Sequence, residues 1–200
     1  VEFFAPQIRP LDLYQDPAQP NRIYVASRQG IFISSDGGGE WLRLDNVPAY
    51  RVVANGQRLY AVREKLGAVR HFGESGVYRS DDLGGRWELI NPPQIFPGAN
   101  GYRPPGKIAV NPANPDIVYV TIPPTPSEPE GYIIRSRDGG ATWTVVWVGG
   151  SSFGGLVFDP ADPSLLYAQM SSEGLLKVDF DDPAYEPPAV GEEIPFDDLL

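Results

Sequence analysis

The chain contains no cysteine and a single histidine among its 200 residues. Without cysteine it forms neither a disulfide nor a thiolate metal site, and one histidine supplies only one metal ligand. It also lacks a run of about 20 apolar residues, the length that a membrane-spanning helix needs. No glycine-rich phosphate motif and no zinc motif is present, so we expect neither a cofactor nor a metal.

Positive charge is scarce too. The net charge is −10, from 26 acidic and 16 basic residues. Eight of the acids fall within residues 178–200, where no Lys or Arg occurs, which leaves the rest of the chain nearly balanced. With no basic stripe to meet a phosphate backbone, nucleic-acid binding is not expected.

Glycine and proline, by contrast, are abundant, at 22 each, and aromatic residues make up 12% of the chain. Turn-forming residues interrupt the apolar runs every few positions, and no apolar period of helical length stands out. This composition predicts an all-β protein made of short strands and many turns.

The pattern Ser-x-Asp-x-Gly-x-x-Trp occurs three times, and successive tryptophans are spaced 46 and then 56 positions apart. Its aspartate is expected to accept hydrogen bonds from the backbone of its own turn, and its glycine to allow the backbone angles of that turn. The tryptophan is expected to start the next strand and to pack between sheets. We interpret these residues as structural rather than as metal ligands or catalytic acids. They are Ser34, Asp36, Gly38 and Trp41; Ser80, Asp82, Gly84 and Trp87; and Ser136, Asp138, Gly140 and Trp143.

A second repeated element is a proline-rich turn at residues 16–20, 111–115 and 159–163, each followed by a strand-like run. In the second repeat an Asn55-Gly56 hairpin signal takes its place. Four short antiparallel strands per repeat is the unit of a β-propeller blade. We therefore predict a propeller of about four four-stranded antiparallel blades within residues 1–182. The expected blades are 6–48, 49–95, 104–150 and 151–182, with 1–5 as a possible closing strand and 183–200 as an extended acidic, proline-rich tail.

The three motifs resemble the Asp-box, or BNR, repeat of sialidases, sortilin-type receptor domains, xyloglucanases and photosystem II stability factors. The repeats cover about nine-tenths of the chain. The resemblance implies a β-propeller, usually on the extracytoplasmic side: secreted, periplasmic or at the cell surface. The chain begins with Val1, as expected either of a mature form that has lost a signal peptide or of a trimmed chain.

Binding is expected in the long loops on the face opposite the Asp-box turns. Their cationic and aromatic residues predict a recognition surface for an anionic or carbohydrate partner; the alternative is ordinary solvated loop residues. The candidates are Arg63, Lys65, Arg70, His71, Phe72, Tyr102 and Arg103.

The acidic tail carries apolar anchors, and the candidates for docking are Tyr185, Ile194 and Phe196. Two alternatives stay open: the tail binds a neighbouring subunit, or it wraps its own propeller. Asp179, Asp181 and Asp182, which precede the tail, could bind Ca²⁺, although they match no defined calcium loop, and this alternative stays open.

These observations predict a non-catalytic binding or scaffolding propeller, a module of an exported complex with protein partners or further copies of itself. The alternative is a sialidase-like glycan-binding or glycoside hydrolase domain. No catalytic residue is assigned, because the spacing of the arginines, tyrosines and acids selects no set. Four blades could close alone or form half of a larger ring completed by a second chain.

Overall fold

A computed structural model of the chain describes residues 8–63, 76–91, 105–126, 129–171 and 174–179. These residues form fifteen β-strands and, within those ranges, no helix. The chain divides into two compact units, Val1–Pro93 and Gln94–Leu200.

The first unit contains two four-stranded antiparallel sheets, in each of which the strands lie side by side in chain order. Short turns of the kind predicted from the Gly, Pro and Asn-Gly signals join strands at residues 16–22, 28–29 and 56–57. Sheet 1 consists of β1 (Pro10–Gln15), β2 (Ile23–Ser27), β3 (Gly30–Ser34) and β4 (Leu42–Arg43), and sheet 2 of β5 (Ala49–Asn55), β6 (Arg58–Arg63), β7 (Gly76–Ser80) and β8 (Glu88–Leu89).

The second unit repeats this pattern in sheet 3, which has four strands, and in sheet 4, which has three described strands. The order is again that of the chain, and every pair is antiparallel. Sheet 3 consists of β9 (Ile108–Val110), β10 (Val118–Ile122), β11 (Gly131–Ser136) and β12 (Thr144–Gly149), and sheet 4 of β13 (Phe153–Phe158), β14 (Leu165–Met170) and β15 (Gly174–Asp179).

Each unit has an apolar core between its two sheets. Because side chains alternate across a strand, every second residue of β2 and β3 points towards sheet 2. Tyr24, Ala26 and Ile31 of sheet 1 thus pack with Val52 and Leu59 of sheet 2, and all five are buried.

The same arrangement forms the core of the second unit. Tyr119, Ile133 and Trp147 of sheet 3 pack with Phe158 and Leu166 of sheet 4. Tyr119 meets Phe158 edge to face, with 5.5 Å between ring centroids, a favourable aromatic geometry. Tyr24 and Tyr119 occupy the same place in their repeats, and each is buried against the next sheet of its unit.

The structure is all-β and has the four blades of a β-propeller. The Asp-box turns lie between the third and fourth strands of sheets 1 to 3, and each fourth strand begins one residue after the tryptophan. The predicted closing strand at residues 1–5 and the tail at 183–200 lie outside the described residues.

Candidate functional site

The three Asp-box turns share one hydrogen-bond pattern. In the first, the Ser34 hydroxyl donates to Asp36 Oδ1 at 2.7 Å and accepts the Gly38 backbone N–H at 2.8 Å. Asp36 in turn accepts the N–H groups of Gly39 and Glu40, at 2.8 and 3.0 Å. The second and third motifs repeat the serine bonds with distances of 2.7–2.8 Å. The motif therefore satisfies its own backbone donors within the turn.

These bonds favour the ionised form of each motif aspartate. The backbone N–H of Glu40 is the largest cause of the lowered pKa of Asp36, and that of Arg86 plays the same part for Asp82. The Thr142 hydroxyl, followed by the Thr142 backbone N–H, lowers the pKa of Asp138 to about 2. Carboxylates held in this way are poor proton donors near neutral pH.

The second motif departs from the other two at its tryptophan. Trp41 Nε1 and Trp143 Nε1 donate to the carbonyl oxygens of Gly38 and Gly140, both at 3.1 Å. Trp87 Nε1 is buried and has no hydrogen-bond partner. The Trp87 ring is therefore held by something other than its own turn.

That holding group is Arg63. Its guanidinium carbon lies 3.9 Å from the Trp87 ring centroid, and its Nη2 is 2.5 Å from Asp45 Oδ2. The Arg63 side chain is only 3% exposed. Its guanidinium carbon also lies 5.7 Å from the centroid of the Tyr78 ring. Burial lowers the pKa of Arg63, and the adjacent Asp45 carboxylate opposes that effect. The aromatic face attracts the cation, and removal of either member of a buried ion pair would leave an uncompensated charge.

This position corrects the expectation for Arg63. It is the last residue of β6, where it pairs with Gly76 of β7, and it belongs to no exposed loop. A side chain buried in this way presents no cation to a partner. The remaining candidates of the predicted recognition surface and of the tail lie outside the described residues: Lys65, Arg70, His71, Phe72, Tyr102, Arg103, Tyr185, Ile194 and Phe196.

Next to the Arg63–Trp87 stack, the outer part of sheet 2 carries an open groove of about 360 Å³. Trp87 forms its aromatic part, and charged side chains surround it. The lining residues are Arg79, Asp81, Asp82, Arg86, Trp87 and Glu88.

Ion pairs involve three of the charged side chains that line the groove, those of Asp81, Arg79 and Glu88. Asp81 Oδ1 is 2.6 Å from Arg58 Nε, and its Oδ2 is 3.2 Å from Arg79 Nε. Arg79 Nη2 is also 3.2 Å from Glu88 Oε2. An aromatic surface with pre-positioned donors and acceptors around it suits a neutral polyhydroxylated ligand, such as a sugar. In the described part of the chain, no group of three potential metal ligands is present.

This groove was not predicted, although the sequence carries a signal for it. The motif positions that flank the serine and the tryptophan differ among the repeats. In the second motif all four are charged, at Arg79, Asp81, Arg86 and Glu88, whereas the first and third motifs place Leu42 and Thr144 after the tryptophan. Charge at all four positions is unnecessary for the turn itself, since the other two motifs form it without that charge.

Fold and groove together define a β-propeller with a candidate carbohydrate-binding surface on one blade. No protein-family model matches the chain. A curated relative, the xyloglucanase Xgh74A of Acetivibrio thermocellus, is 32% identical in a 141-residue alignment that covers 66% of this chain. The chain spans 16% of the length of that relative.

Solved structures show the same fold. The GH74 xyloglucanase of Xanthomonas campestris superposes with a TM-score of 0.60 at 20% identity, over 84% of this chain and 27% of its own. The GH74 enzyme of Niastella koreensis gives 0.57 at 22% identity, over 86% and 29%. A chain of a nidogen/laminin complex gives 0.66 at 16% identity, over 91% and 65%. At these identities the likeness establishes the propeller and no more.

These comparisons overturn the expectation of a non-catalytic scaffolding module. The curated relative is a xyloglucanase. The alternative from the sequence, a glycan-binding or glycoside hydrolase domain, agrees better with them. No helix long and apolar enough to span a membrane occurs in the described ranges.

Proposed function

We propose that this chain is a β-propeller of the glycoside hydrolase type that binds xyloglucan, and that it acts outside the cytoplasm. The observation that carries the proposal is the 32% identity over 141 residues to a xyloglucanase. The match extends over two-thirds of the chain, so it involves several blades rather than one repeat of the motif.

The groove on sheet 2 is the proposed polysaccharide contact. A pyranose ring has an apolar C–H face that packs on an aromatic ring, and hydroxyl groups at its edge that hydrogen-bond to charged side chains. Trp87 offers the ring, and the exposed Arg86 and Glu88 offer a donor and an acceptor beside it. Arg63 stacks on the same indole and holds it in place before a ligand arrives, which lowers the ordering cost of binding.

We assign the aspartates of the Ser-x-Asp-x-Gly-x-x-Trp turns, and Asp159 of the last proline-rich turn, to turn formation rather than to proton transfer. A glycosidase needs a carboxylic acid whose pKa is raised so that it stays protonated, and a second carboxylate across the bond to be cleaved. Hydrogen bonds to the ionised form instead lower the pKa of four described carboxyl groups, those of Asp36, Asp82, Asp138 and Asp159. The groove is proposed as a subsite that holds the polysaccharide because an aromatic ring and charged side chains line it together.

Affinity electrophoresis tests the proposal. The chain is run in native gels with and without dissolved xyloglucan, and retardation specific to xyloglucan is expected. Trp87→Ala should weaken the apparent affinity about tenfold, because a central aromatic contact is lost. Trp143→Ala is the matched control: it removes the equivalent tryptophan of the third motif, which does not line the groove.

Arg86→Ala provides a second variant, since this exposed side chain lies in the groove but does not belong to the Arg63 stack. It should reduce retardation while the circular dichroism spectrum and melting temperature stay unchanged. The proposal is wrong if the folded wild-type chain migrates identically in both gels. The groove assignment alone is wrong if the chain is retarded but Trp87→Ala and Trp143→Ala behave alike.

A further inference from the structure

The residue that follows each motif aspartate makes the same backbone contact in all three repeats. Its N–H donates to a carbonyl oxygen in the turn between the first two strands of its own sheet. The distances are 2.8, 3.1 and 2.9 Å, for the Gly37 N–H on Asn21, the Leu83 N–H on Gln57 and the Gly139 N–H on Asp116. Each Asp-box turn is thereby tied to a second turn of the same sheet.

Two of these contacts involve an Asp-Gly bond, Asp36-Gly37 in the first motif and Asp138-Gly139 in the third. Asp-Gly is prone to isomerisation, because glycine has no side chain to hinder its own nitrogen. That nitrogen attacks the aspartate Cγ, and the amide hydrogen leaves with a protonated carboxyl oxygen as water, so that a succinimide ring forms. Water then opens the ring. Cleavage of the new N–Cγ bond restores aspartate, whereas cleavage of the bond between the nitrogen and the original backbone carbonyl carbon leaves isoaspartate.

The folded turn opposes this reaction at both reacting groups. The attacking nitrogen of Gly37 is engaged with Asn21, and the Asp36 carboxylate accepts the N–H groups of Gly39 and Glu40. These bonds favour the ionised carboxylate, which lacks the protonated oxygen that has to leave. The reaction in the folded chain therefore waits for a local opening of the turn.

The two Asp-Gly bonds are not held equally. Asp138 Oδ1 accepts the Thr142 N–H at 2.8 Å, and its Oδ2 accepts the Thr142 hydroxyl at 2.5 Å. In the first motif Glu40 takes the place of that threonine, and its backbone N–H bonds to Asp36 Oδ2 at 3.0 Å. Glu40 has no hydroxyl to donate, so the first turn opens at a lower cost than the third.

We propose that Asp36 is a covalent modification site, at which the folded chain forms isoaspartate faster than at Asp138, and at a rate set by opening of the first Asp-box turn. Asp82 is not such a site, because the side chain of Leu83 hinders the following nitrogen. The product has one more methylene group in the backbone between Asp36 and Gly37. The turn can then no longer close its bonds to Gly39 and Glu40, so sheet 1 loses the connection between β3 and β4 that the motif stabilises.

Peptide mapping of the aged full-length chain tests this. Folded and urea-unfolded samples are incubated in mildly acidic buffer and digested, and electron-transfer fragmentation then distinguishes isoaspartate from aspartate at Asp36, Asp82 and Asp138. Each rate in the folded chain is divided by the rate at the same position in urea, which removes the effect of the flanking sequence. The normalised rate is expected to be about tenfold higher at Asp36 than at Asp138, because the third turn has the additional hydroxyl bond to a charged group. Equal normalised rates, or no isoaspartate at Asp36 in the folded chain, would overturn the proposal.

Two reciprocal variants test the cause. Thr142→Ala removes the hydroxyl from the third motif and should raise the normalised rate at Asp138 about tenfold, while the rate at Asp36 in the same molecule serves as the control and stays unchanged. Glu40→Thr supplies a hydroxyl at the matching position of the first motif and should slow the reaction at Asp36 while Asp138 is unaffected. Melting curves establish that each variant is folded, and either variant decides the matter if the other does not fold. A folded variant whose rate at the targeted aspartate equals that of the wild type would overturn the proposal.

Discussion

The guanidinium of Arg63 stacks on the indole ring of Trp87, with 3.9 Å between the guanidinium carbon and the ring centroid. The same arginine is ion-paired with Asp45, in the connection between β4 and β5. Arg63, at the end of β6, thus contacts two other parts of the unit. These are Asp45, in the β4–β5 connection, and Trp87, the residue before β8. Arg63 also fixes the ring that forms the aromatic part of the groove.

The first prediction concerns this cluster. Arg63→Ala should lower the free energy of unfolding by about 3 kcal/mol, because it leaves the Asp45 carboxylate without its cation and the indole without its stacking partner. Denaturation by urea, followed by tryptophan fluorescence, measures the change. Arg86→Ala, an exposed arginine of the same sheet, is the control and should stay within about 0.5 kcal/mol of wild type. Similar losses in the two variants would refute a special role for Arg63.

The second prediction concerns Leu83, which has a positive φ of 57° in the second Asp-box turn. The first and third motifs place Gly37 and Gly139 there, with φ of 79° and 71°. Leu83→Gly should raise the free energy of unfolding by about 1 kcal/mol by relieving this strain. Gly37→Leu is the reciprocal control: an added Cβ at Gly37 meets nothing within 4 Å, so the backbone angle alone should make it destabilising by about 1 kcal/mol. A destabilised Leu83→Gly variant would show that packing outweighs strain at this position.

The third prediction concerns the acid range. Asp138 has a pKa of about 2 in the folded chain against an ordinary 3.8. A carboxyl group whose folded pKa is depressed contributes stability that is present above its unfolded pKa and lost as the pH falls through the folded one. The melting temperature of Asp138→Asn should therefore lie below that of wild type above pH 5, and the gap should close between pH 4 and about pH 2. Calorimetry across this pH range measures the difference in melting temperature between the two proteins. A difference that is independent of pH would contradict the lowered pKa of Asp138.

The fourth prediction concerns the proline-rich turns of the second unit. Asn111 Nδ2 donates to the Pro163 carbonyl oxygen at 2.7 Å, and Asn111 Oδ1 accepts the Ala113 and Asn114 N–H groups. Asn111→Asp keeps the acceptor but loses the donor and brings a carboxylate against a carbonyl, so we expect a loss of about 1–2 kcal/mol. Asp159→Asn is the control, since it retains the acceptor for its own turn and should cost less. Equal losses would mean that the bond to Pro163 is not what stabilises Asn111.

Much of the fold follows from the sequence because its signals are local. The Ser-x-Asp-x-Gly-x-x-Trp motif contains every group that its turn needs: the hydroxyl, the carboxylate and the glycine close a hydrogen-bond network within seven residues. The Asn55-Gly56 hairpin is equally local, with Gly56 at a positive φ of 66°. Such elements are specified whatever lies around them.

The candidate site is different, because its parts come from distant positions in the chain. Whether Arg63 belongs to a loop or ends a strand depends on how far β6 pairs with β7, and that register is decided by the burial of whole sheets. Its partners, Asp45 and Trp87, lie 18 and 24 residues away in the sequence. No pattern in the sequence alone brings them together.

The sequence by itself determined the repeat, the turns and the all-β class, since each depends on interactions between residues within one motif or one hairpin. Tertiary structure decided which aspartates and arginines pair, and which tryptophan stacks on a buried cation. Those outcomes depend on non-local packing, where the same residue type has a different role in each repeat because its neighbours come from another sheet.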